Sequence, residues 1–242
     1  MSVIAQIRSL LKGLTDASQG KGALFFKTGK GQYAEHDKFI GVTVPNLRKI
    51  ARSFSGLEFD ELQEIIESEI NEERFLALII LVAQYQKAKG QDDKSKLYKF
   101  YLDHLQYVNN WNLVDTSAHL IMGAHLYDKD KSVLIDLAQS EIMWERRISI
   151  VSTWYFIRKH DFEWTFKIAK VLLSDTQDLI HKAAGWMLRE VGERDENQLI
   201  DFLDQHSQEM PRTMLRYAIE KLSDEQRRSY LTRDSVYKSG KK

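Results

Sequence analysis

The sequence predicts an all-α fold in which antiparallel helix pairs stack into a solenoid with a concave groove. Three observations support this prediction. The 242 residues include only two prolines and 12 glycines, so little interrupts a helix. Apolar residues recur mostly three to four positions apart, which is the helical period, and strict alternation is rare. Segments of similar character also recur at a nearly constant interval along the chain.

Helices are predicted throughout the first half of the chain. The second begins where Thr43 can cap a helix and Pro45 stands near its first position. The fourth contains FLALIILVA, which is shorter than the roughly 20 apolar residues that span a bilayer and has the length of a buried helix core. In order, the predicted helices are Val3 to Leu14, Pro45 to Phe54, Phe59 to Ile70, Glu72 to Ala88, Lys94 to His104 and Asn109 to Leu126.

The second half continues with helices joined by short connections, so neighbours in sequence should pack antiparallel. The predicted helices are Lys131 to Leu137, Ile142 to Arg158, Trp164 to Leu173, Gln177 to Val191, Asn197 to Gln205 and Arg212 to Leu222. A hydrophobic content of 43% is enough for a sizeable core. Residues 1–231 are therefore predicted to form a single domain, followed by a basic tail, 232–242, whose order the sequence leaves open.

The second helix of each predicted pair carries a recurring pattern. The aligned segments are ERFLALIILVAQ, WNLVDTSAHLIM, RRISIVSTWYFI, HKAAGWMLREVG and LRYAIEKLS. With Arg74, Asn112, Arg147, Lys182 and Arg216 in register, the steps are 38, 35, 35 and 34 residues. A unit of about 35 to 45 residues is typical of HEAT-like and related α-solenoids, whose second helices line a concave surface. A non-repeating helix bundle is the alternative.

Four of these five register positions are Arg or Lys, and in a solenoid they would form a column on one wall. The 35 basic and 35 acidic residues cancel, so the chain as a whole has no electrostatic attraction to nucleic acid. A column that includes Arg147 and Lys182 would nevertheless bind DNA phosphates, since each neutralised phosphate releases counterions. Alternatively, these cations pair with acids on adjacent helices and hold the repeats together.

The segment from Phe26 to Arg52 begins as a glycine-rich loop and then becomes helical at Pro45. Its glycines and lysines do not satisfy the Gly-x4-Gly-Lys-Ser/Thr spacing of a nucleotide phosphate loop. Lys27, Lys30 and Lys38 could still bind a DNA phosphate from this loop. The alternative is a structural connector.

Several classes of chemistry are excluded by composition. The absence of cysteine excludes disulfide scaffolds, zinc ribbons and thiol nucleophiles. The seven histidines form neither His-Glu-x-x-His nor a close cluster with acids, and no Gly-x-Ser-x-Gly elbow is present, so we predict no metal site, no serine nucleophile and no cofactor. The N-terminus does not resemble a signal peptide, and no apolar run is long enough to cross a membrane, which predicts a cytoplasmic protein.

Trp111 and Asp115 pose the main chemical question. In NNWNLVD they stand four positions apart and project from one face of a helix. Trp186 stands four positions after Lys182 in the equivalent helix two repeats later. In a solenoid, both indoles, Asp115 and Arg147 can therefore meet on the concave wall.

A carboxylate between two indoles suits a sugar-derived cation. Cleavage of an N-glycosidic bond builds positive charge on the deoxyribose; a carboxylate stabilises that charge and orients water, while aromatic faces hold the sugar. Such electrostatic stabilisation is worth roughly 3 to 4 kcal/mol per group, which suffices only for a good leaving group such as a cationic alkylated purine. The structural alternatives are that Asp115 caps a helix or pairs with a neighbouring arginine, and that Arg147 is structural. Trp144 and Trp154 are predicted to be core residues.

The segments NNWNLVD, MWERRISIVSTW and IHKAAGWMLREVG, in this order and spacing, resemble the AlkD-like DNA alkylation repair family of HEAT-like repeat DNA glycosylases. FIGVTVPNLRKIAR is similar to the N-terminal portion of that family, and the resemblance covers most of the chain. Carried over position by position, it implies a catalytic aspartate at Asp115, sugar-contacting tryptophans at Trp111 and Trp186, and a phosphate-contacting arginine at Arg147. Asn110 stands where strongly active members have a second aromatic residue.

The resemblance implies a monofunctional glycosylase that excises N3- and N7-alkylated purines from double-stranded DNA and leaves an abasic site, without metal or lyase chemistry. Lys182, Lys27 and Lys30 complete the predicted DNA-binding set, and a monomer is the default state. Two non-enzymatic alternatives stay open. One is a solenoid that binds DNA through Arg147 and Lys182, and the other is a protein-interaction scaffold, because a fold does not dictate function.

Overall fold

The structure is a computed structural model that describes residues 2–15 and 26–233. In this part of the chain the regular secondary structure is helical, apart from one isolated parallel bridge between Lys38 and Ile70. The all-α prediction is therefore confirmed. The chain divides into two compact units, Met1–Ile121 and Met122–Lys242. The predicted stacking of helix pairs into a solenoid and the predicted single domain over residues 1–231 stay predictions.

The first unit is built around its longest helix, α4. Its helices are α1 (Val3–Gly13), α2 (Val44–Ser53), α3 (Phe59–Ile66), α4 (Asn71–Lys87), α5 (Gln91–Asp103) and α6 (Trp111–Ala118), with a 3-10 turn at Leu105–Tyr107. Helix α4 contains the FLALIILVA run, which is apolar on every side, and the helix is buried along most of its length. It packs against α2, α3, α5 and α6, and thereby supports the helix that carries Trp111 and Asp115.

The second unit is built in the same way around α12. Its helices are α7 (Ala124–Leu126), α8 (Ser132–Ala138), α9 (Met143–Ser152), α10 (Trp154–Ile157), α11 (Glu163–Val171), α12 (Asp178–Gly192), α13 (Glu196–His206), α14 (Arg212–Ala218) and α15 (Asp224–Thr232). A 3-10 turn, Leu172–Ser174, follows α11. Helix α12 packs against α9, α11, α13 and α14, and its contact with α14 is the most extensive in this unit.

Most predicted helices appear within a few residues of their predicted bounds, and the differences have local causes. Helix α3 ends at Ile66 and not at Ile70, because the following backbone pairs with Lys38: the Lys38 N–H donates to Glu69, and the Asn71 N–H donates to the Lys38 carbonyl. Helix α6 begins at Trp111 because Asn110 caps it, and a π-helical turn, His119–Gly123, follows it.

The C-terminal helix α15 was missed by the periodicity argument. Its start is marked in the sequence by a capping box, in which the Ser223 hydroxyl accepts from Gln226 N and the Gln226 side chain accepts from Ser223 N. The predicted tail, 232–242, falls almost entirely outside the described residues. Thr232 ends α15, and the next residue, Arg233, forms an ion pair of 2.9 Å with Asp204.

Candidate active site

Trp111 and Asp115 lie one turn apart on α6 and line a single cavity of about 430 Å³ in the first unit. Both side chains are partly exposed, so neither is sealed in the core. The cavity is lined further by aromatic rings, by a second carboxylate, Glu72, and by the guanidinium of Arg48. The i, i+4 spacing in the sequence thus places an indole and a carboxylate at the same opening, as predicted from NNWNLVD.

A stack of three aromatic rings forms part of this cavity. Phe26 stacks on Trp111 with ring centroids 5.0 Å apart, and on its other neighbour, Phe39, at 4.5 Å. The Trp111 indole N–H donates to the Tyr33 hydroxyl at 3.2 Å. The plane of the Trp111 ring is therefore fixed by a stacking contact and by a hydrogen bond, so this side chain loses little conformational entropy when a ligand binds against it.

The start of α6 is tied to a buried ion pair. Asn110 is fully buried; its side-chain oxygen accepts from Trp111 N at 2.7 Å, and its Nδ2 donates to Asp37 at 2.5 Å. Asp37 also accepts from Asn71 Nδ2 and forms an ion pair with Arg74. Asn110 thus combines a helix cap with a core contact.

This ion pair corrects one sequence prediction. Arg74 was expected to be one of the cations on a groove wall, but its side chain is 3% exposed and paired with Asp37. The prediction of a groove-lining cation is therefore wrong at this position; the partner of Arg74 lies in a loop, whereas the alternative predicted an acid on an adjacent helix. Burial of Arg74 requires a partner because an unpaired buried charge is far too costly.

The second carboxylate of the cavity, Glu72, holds a loop. Its side chain accepts from Ile40 N and from Gly41 N, the latter at 2.8 Å. Gly41 has φ +81°, a left-handed conformation that favours glycine, so the chain can turn its N–H toward the carboxylate. Burial raises the pKa of Glu72 above its ordinary value, while the backbone hydrogen bonds act in the opposite direction. This loop carries Phe39, so Glu72 supports the aromatic part of the cavity.

The positive charges near the cavity come from loop and helix positions. Arg48, on α2, is exposed, lines the cavity and has no ion pair within residues 2–15 and 26–233. Of the three predicted loop cations, Lys38 forms an ion pair with Glu69. Lys27 and Lys30 are both exposed, and Lys27 adopts a left-handed turn conformation with φ 53°. The side chains of Arg48, Lys27 and Lys30 are sterically available to an anion, as the prediction for the two lysines requires.

Trp186, the second predicted sugar-contacting tryptophan, lies on α12 of the second unit. Its indole N–H donates to Glu190 Oε1 at 3.1 Å, and the ring packs edge-on against Trp154 with centroids 5.0 Å apart. Trp154 was expected in the core, yet it is partly exposed and its N–H donates to Glu190 Oε2 at 3.0 Å. Trp144, given the same core prediction, is buried at 7% exposure, so that prediction is confirmed.

The two predicted phosphate contacts of the second unit have partners within the protein. Arg147 is 6% exposed, and its Nη1 donates to the Leu179 carbonyl at 2.7 Å. Lys182 forms an ion pair of 2.8 Å with Asp178 on the same helix. Their roles at DNA, and the predicted meeting of both indoles with Asp115 on one wall, stay predictions.

Several residues of these sites were not singled out from the sequence. Glu190 stands four positions after Trp186, so the same spacing rule that paired Trp111 with Asp115 would have found it. For Phe26, Phe39, Tyr33 and Glu72 the sequence has no comparable signal, because their partners are distant in the chain and meet only through packing.

The described residues, 2–15 and 26–233, contain no group of three or more His, Cys, Asp or Glu side chains that could hold a metal ion. Over the same residues, no helix has both the length and the apolar character needed to cross a membrane.

A sequence profile described as "DNA alkylation repair enzyme" matches residues 7–222, which is most of the chain. The chain belongs to the DNA alkylation repair enzyme family. This family assignment supports a role in the repair of alkylated DNA. A solved structure described as a predicted DNA alkylation repair enzyme from Enterococcus faecalis is similar to the chain, with a TM-score of 0.64 and 14% identity over 86% of this chain and 95% of the other. At this identity the likeness shows a shared fold. No curated protein matches the chain significantly.

Proposed function

We propose that this member of the DNA alkylation repair enzyme family is a monofunctional DNA glycosylase. It excises cationic N3- and N7-alkylated purines from double-stranded DNA by hydrolysis of the N-glycosidic bond and leaves an abasic site. The observation that carries the proposal is that Trp111 and Asp115, one helical turn apart, line the same cavity of about 430 Å³. A carboxylate and an aromatic face in one cavity would both stabilise a positive charge on a bound sugar.

The proposed reaction breaks the bond between the sugar C1′ and the purine nitrogen. The base leaves with the electron pair and becomes neutral, and the sugar becomes an oxocarbenium-like cation. Asp115 stabilises that cation and orients a water molecule, which attacks C1′ and loses a proton to the carboxylate or to solvent. The faces of Trp111 and Trp186 hold the sugar and favour its cationic form.

The positive charge of the alkylated base explains why so few groups suffice. A neutral purine needs protonation before it can leave, and the proposed site uses no general acid for the base. Stabilisation of the cation by one carboxylate is worth roughly 3 to 4 kcal/mol, or about 10²- to 10³-fold in rate. An already cationic leaving group requires no metal ion or cofactor in addition, so we propose that the reaction uses neither.

The proposed contacts to the DNA backbone are the exposed cations Lys27, Lys30 and Arg48 in the first unit, together with Arg147 and Lys182 in the second. We propose that the helix pairs stack as a HEAT-like solenoid with a concave groove for the duplex, and that the protein acts as a monomer in the cytoplasm on chromosomal DNA. Arg48 is an addition to the residues predicted from sequence, because it is a cation that lines the Asp115 cavity.

The test is release of 7-methylguanine from methylated duplex DNA by the purified protein. We expect Asp115→Asn, which keeps the size of the side chain and removes its charge, to lose about 10²- to 10³-fold in the single-turnover rate. The control is Asp128→Asn, which removes an exposed carboxylate of the second unit. Equal rates for Asp115→Asn and the wild-type protein would rule out the role given to Asp115.

A second candidate is DNA binding without excision. The exposed cations Lys27, Lys30 and Arg48 support it, because they would bind phosphates whatever the chemistry at Asp115. Salt-dependent binding to duplex DNA, combined with no base release from any alkylated substrate, would favour this candidate over the glycosylase.

A further inference from the structure

One carboxylate in the second unit accepts hydrogen bonds from two partly exposed indoles, those of Trp154 and Trp186. Glu190 Oε1 accepts from the Trp186 N–H at 3.1 Å, and Glu190 Oε2 accepts from the Trp154 N–H at 3.0 Å. Arg194 Nη1 donates to the same Oε2 at 3.0 Å and to the Glu190 carbonyl at 2.8 Å. The Glu190 side chain is 13% exposed, so water competes little for these bonds.

The two carboxylate oxygens accept hydrogen bonds from different donors. Within the described residues, Oε2 accepts from Trp154 and Arg194, whereas Oε1 accepts from Trp186. The bond to Oε1 restrains rotation of the Trp186 ring about its side-chain torsions, and the edge contact with Trp154 restrains it from a second direction. An N–H group bound to a carboxylate also polarises its ring toward greater electron density, which strengthens the attraction of the ring face for a cation.

We infer that Glu190 is a positioning residue that acts through Trp186: it sets the plane of that indole and makes its face a better partner for a positively charged sugar. The inference rests on the proposed function for its catalytic consequence and on the hydrogen-bond geometry for its structural part. Trp154, which donates to the other oxygen of the same carboxylate, belongs to this hydrogen-bonded cluster. Glu190 itself does not touch the reacting atoms.

The substitution Glu190→Gln removes one of the two acceptor oxygens and keeps the other. The new amide oxygen should take the place of Oε2, where two donors, Trp154 Nε1 and Arg194 Nη1, need an acceptor. The amide nitrogen then faces Trp186 Nε1, so two donors oppose each other and the hydrogen bond to Trp186 is lost. The change is isosteric and leaves the Trp154 bond in place, which makes it selective for one indole.

The structural part is tested by NMR on the indole N–H signals of the five tryptophans, assigned with Trp186→Phe and Trp154→Phe. In Glu190→Gln we expect the Trp186 signal to move upfield, as for a lost hydrogen bond, while the Trp154 signal moves little. Glu193→Gln, which removes an exposed carboxylate three residues away, should move neither signal. An unmoved Trp186 signal in Glu190→Gln would overturn the inference.

The catalytic part is tested by a double-mutant cycle on single-turnover base release. Glu190→Gln should lower the maximal rate between about twofold and about 30-fold, the range expected for a weakened cation–π contact, with a smaller change in KM. In the Trp186→Phe background the same substitution should have no further effect, because phenylalanine has no N–H to lose. An effect of equal size in both backgrounds would show that Glu190 does not act through Trp186 and would overturn the catalytic part.

Failure of the two proposals can be told apart. If the wild-type protein releases no base, the glycosylase assignment fails while the indole signals still decide whether Glu190 holds Trp186. If the wild-type protein is active but Glu190→Gln leaves both the rate and the Trp186 signal unchanged, the inference about Glu190 fails and the glycosylase assignment stands.

Discussion

The two carboxylates that line the Trp111 cavity are held in different ways. Glu72 is buried and is engaged by the backbone N–H groups of Ile40 and Gly41, so its oxygens are occupied by the loop. Asp115 is partly exposed on α6, one turn after Trp111. The greater exposure of Asp115 supports the proposal that it, and not Glu72, meets the substrate, while Glu72 holds the loop.

The raised pKa of Glu72 predicts a pH-dependent stability. A carboxyl whose pKa is higher in the folded than in the unfolded protein contributes stability below its unfolded pKa, and this contribution is lost as the pH rises through the folded pKa. Relative to Glu72→Gln, the wild-type protein should therefore become less stable as the pH rises from below 4.5, the ordinary value, through the raised pKa.

The measurement is the free energy of unfolding by urea for both proteins at a series of pH values. Glu225→Gln, at an exposed carboxylate on α15 outside the cavity, is the control variant. A difference between wild type and Glu72→Gln that stays constant over the acid range would contradict the assignment of burial as the cause.

At the scale of helices, glycine decides how closely two elements of the second unit approach. A Cβ added to Gly185 on α12 would fall under 3.0 Å from the Met214 carbonyl and from Tyr217 Cβ on α14. Gly123 stands in the same relation to Ser152 and Tyr155. The backbones therefore meet where no side chain intervenes, and the extensive contact between α12 and α14 depends on it.

Gly185→Ala should destabilise the protein by about 1 to 3 kcal/mol, the usual cost of overpacking, because the obstructing atoms include backbone. The matched control is Gly13→Ala at the end of α1, where no atom of residues 2–15 and 26–233 lies within 4 Å of the added Cβ. Alanine is the better helix former, so we expect that control to be neutral or more stable by up to about 1 kcal/mol. Equal unfolding free energies for wild type and Gly185→Ala would contradict the described approach of the helices.

At the scale of the whole chain, a net charge of zero makes DNA affinity a matter of local distribution. Many cations pair with acids inside the fold, as Arg74 does with Asp37 and Arg8 with Glu73. Exposed cations such as Arg48 remain for an external anion. DNA binding by this neutral protein should therefore depend on a few such side chains.

Arg48→Ala is predicted to weaken binding to duplex DNA and to reduce the slope of log K against log salt concentration by about 0.9, the value for one lost phosphate contact. Fluorescence anisotropy at several salt concentrations measures this slope. Lys96→Ala removes an exposed cation of α5 that does not line the cavity and should leave the slope unchanged. Identical slopes for wild type and Arg48→Ala would exclude a phosphate contact at Arg48.

The sequence by itself determined the helical fold class, the approximate bounds of most helices and the shared face of Trp111 and Asp115. These features depend on relations between residues a few positions apart. The sequence shows them directly, as the 3.6-residue period, the proline near the start of α2 and the i, i+4 spacing. The family likewise follows from short segments, and the match over residues 7–222 confirms it.

Only the tertiary structure decided which side chains surround these residues. Tyr33 and Trp111 are 78 positions apart, and Asp37 and Arg74 are 37 positions apart, so no local pattern relates them. Arg74 illustrates the consequence: its place in the repeat predicted a groove cation, and burial beside Asp37 made it structural. A sequence pattern shows where a side chain stands on its helix, whereas its partners depend on which distant segment packs against that face.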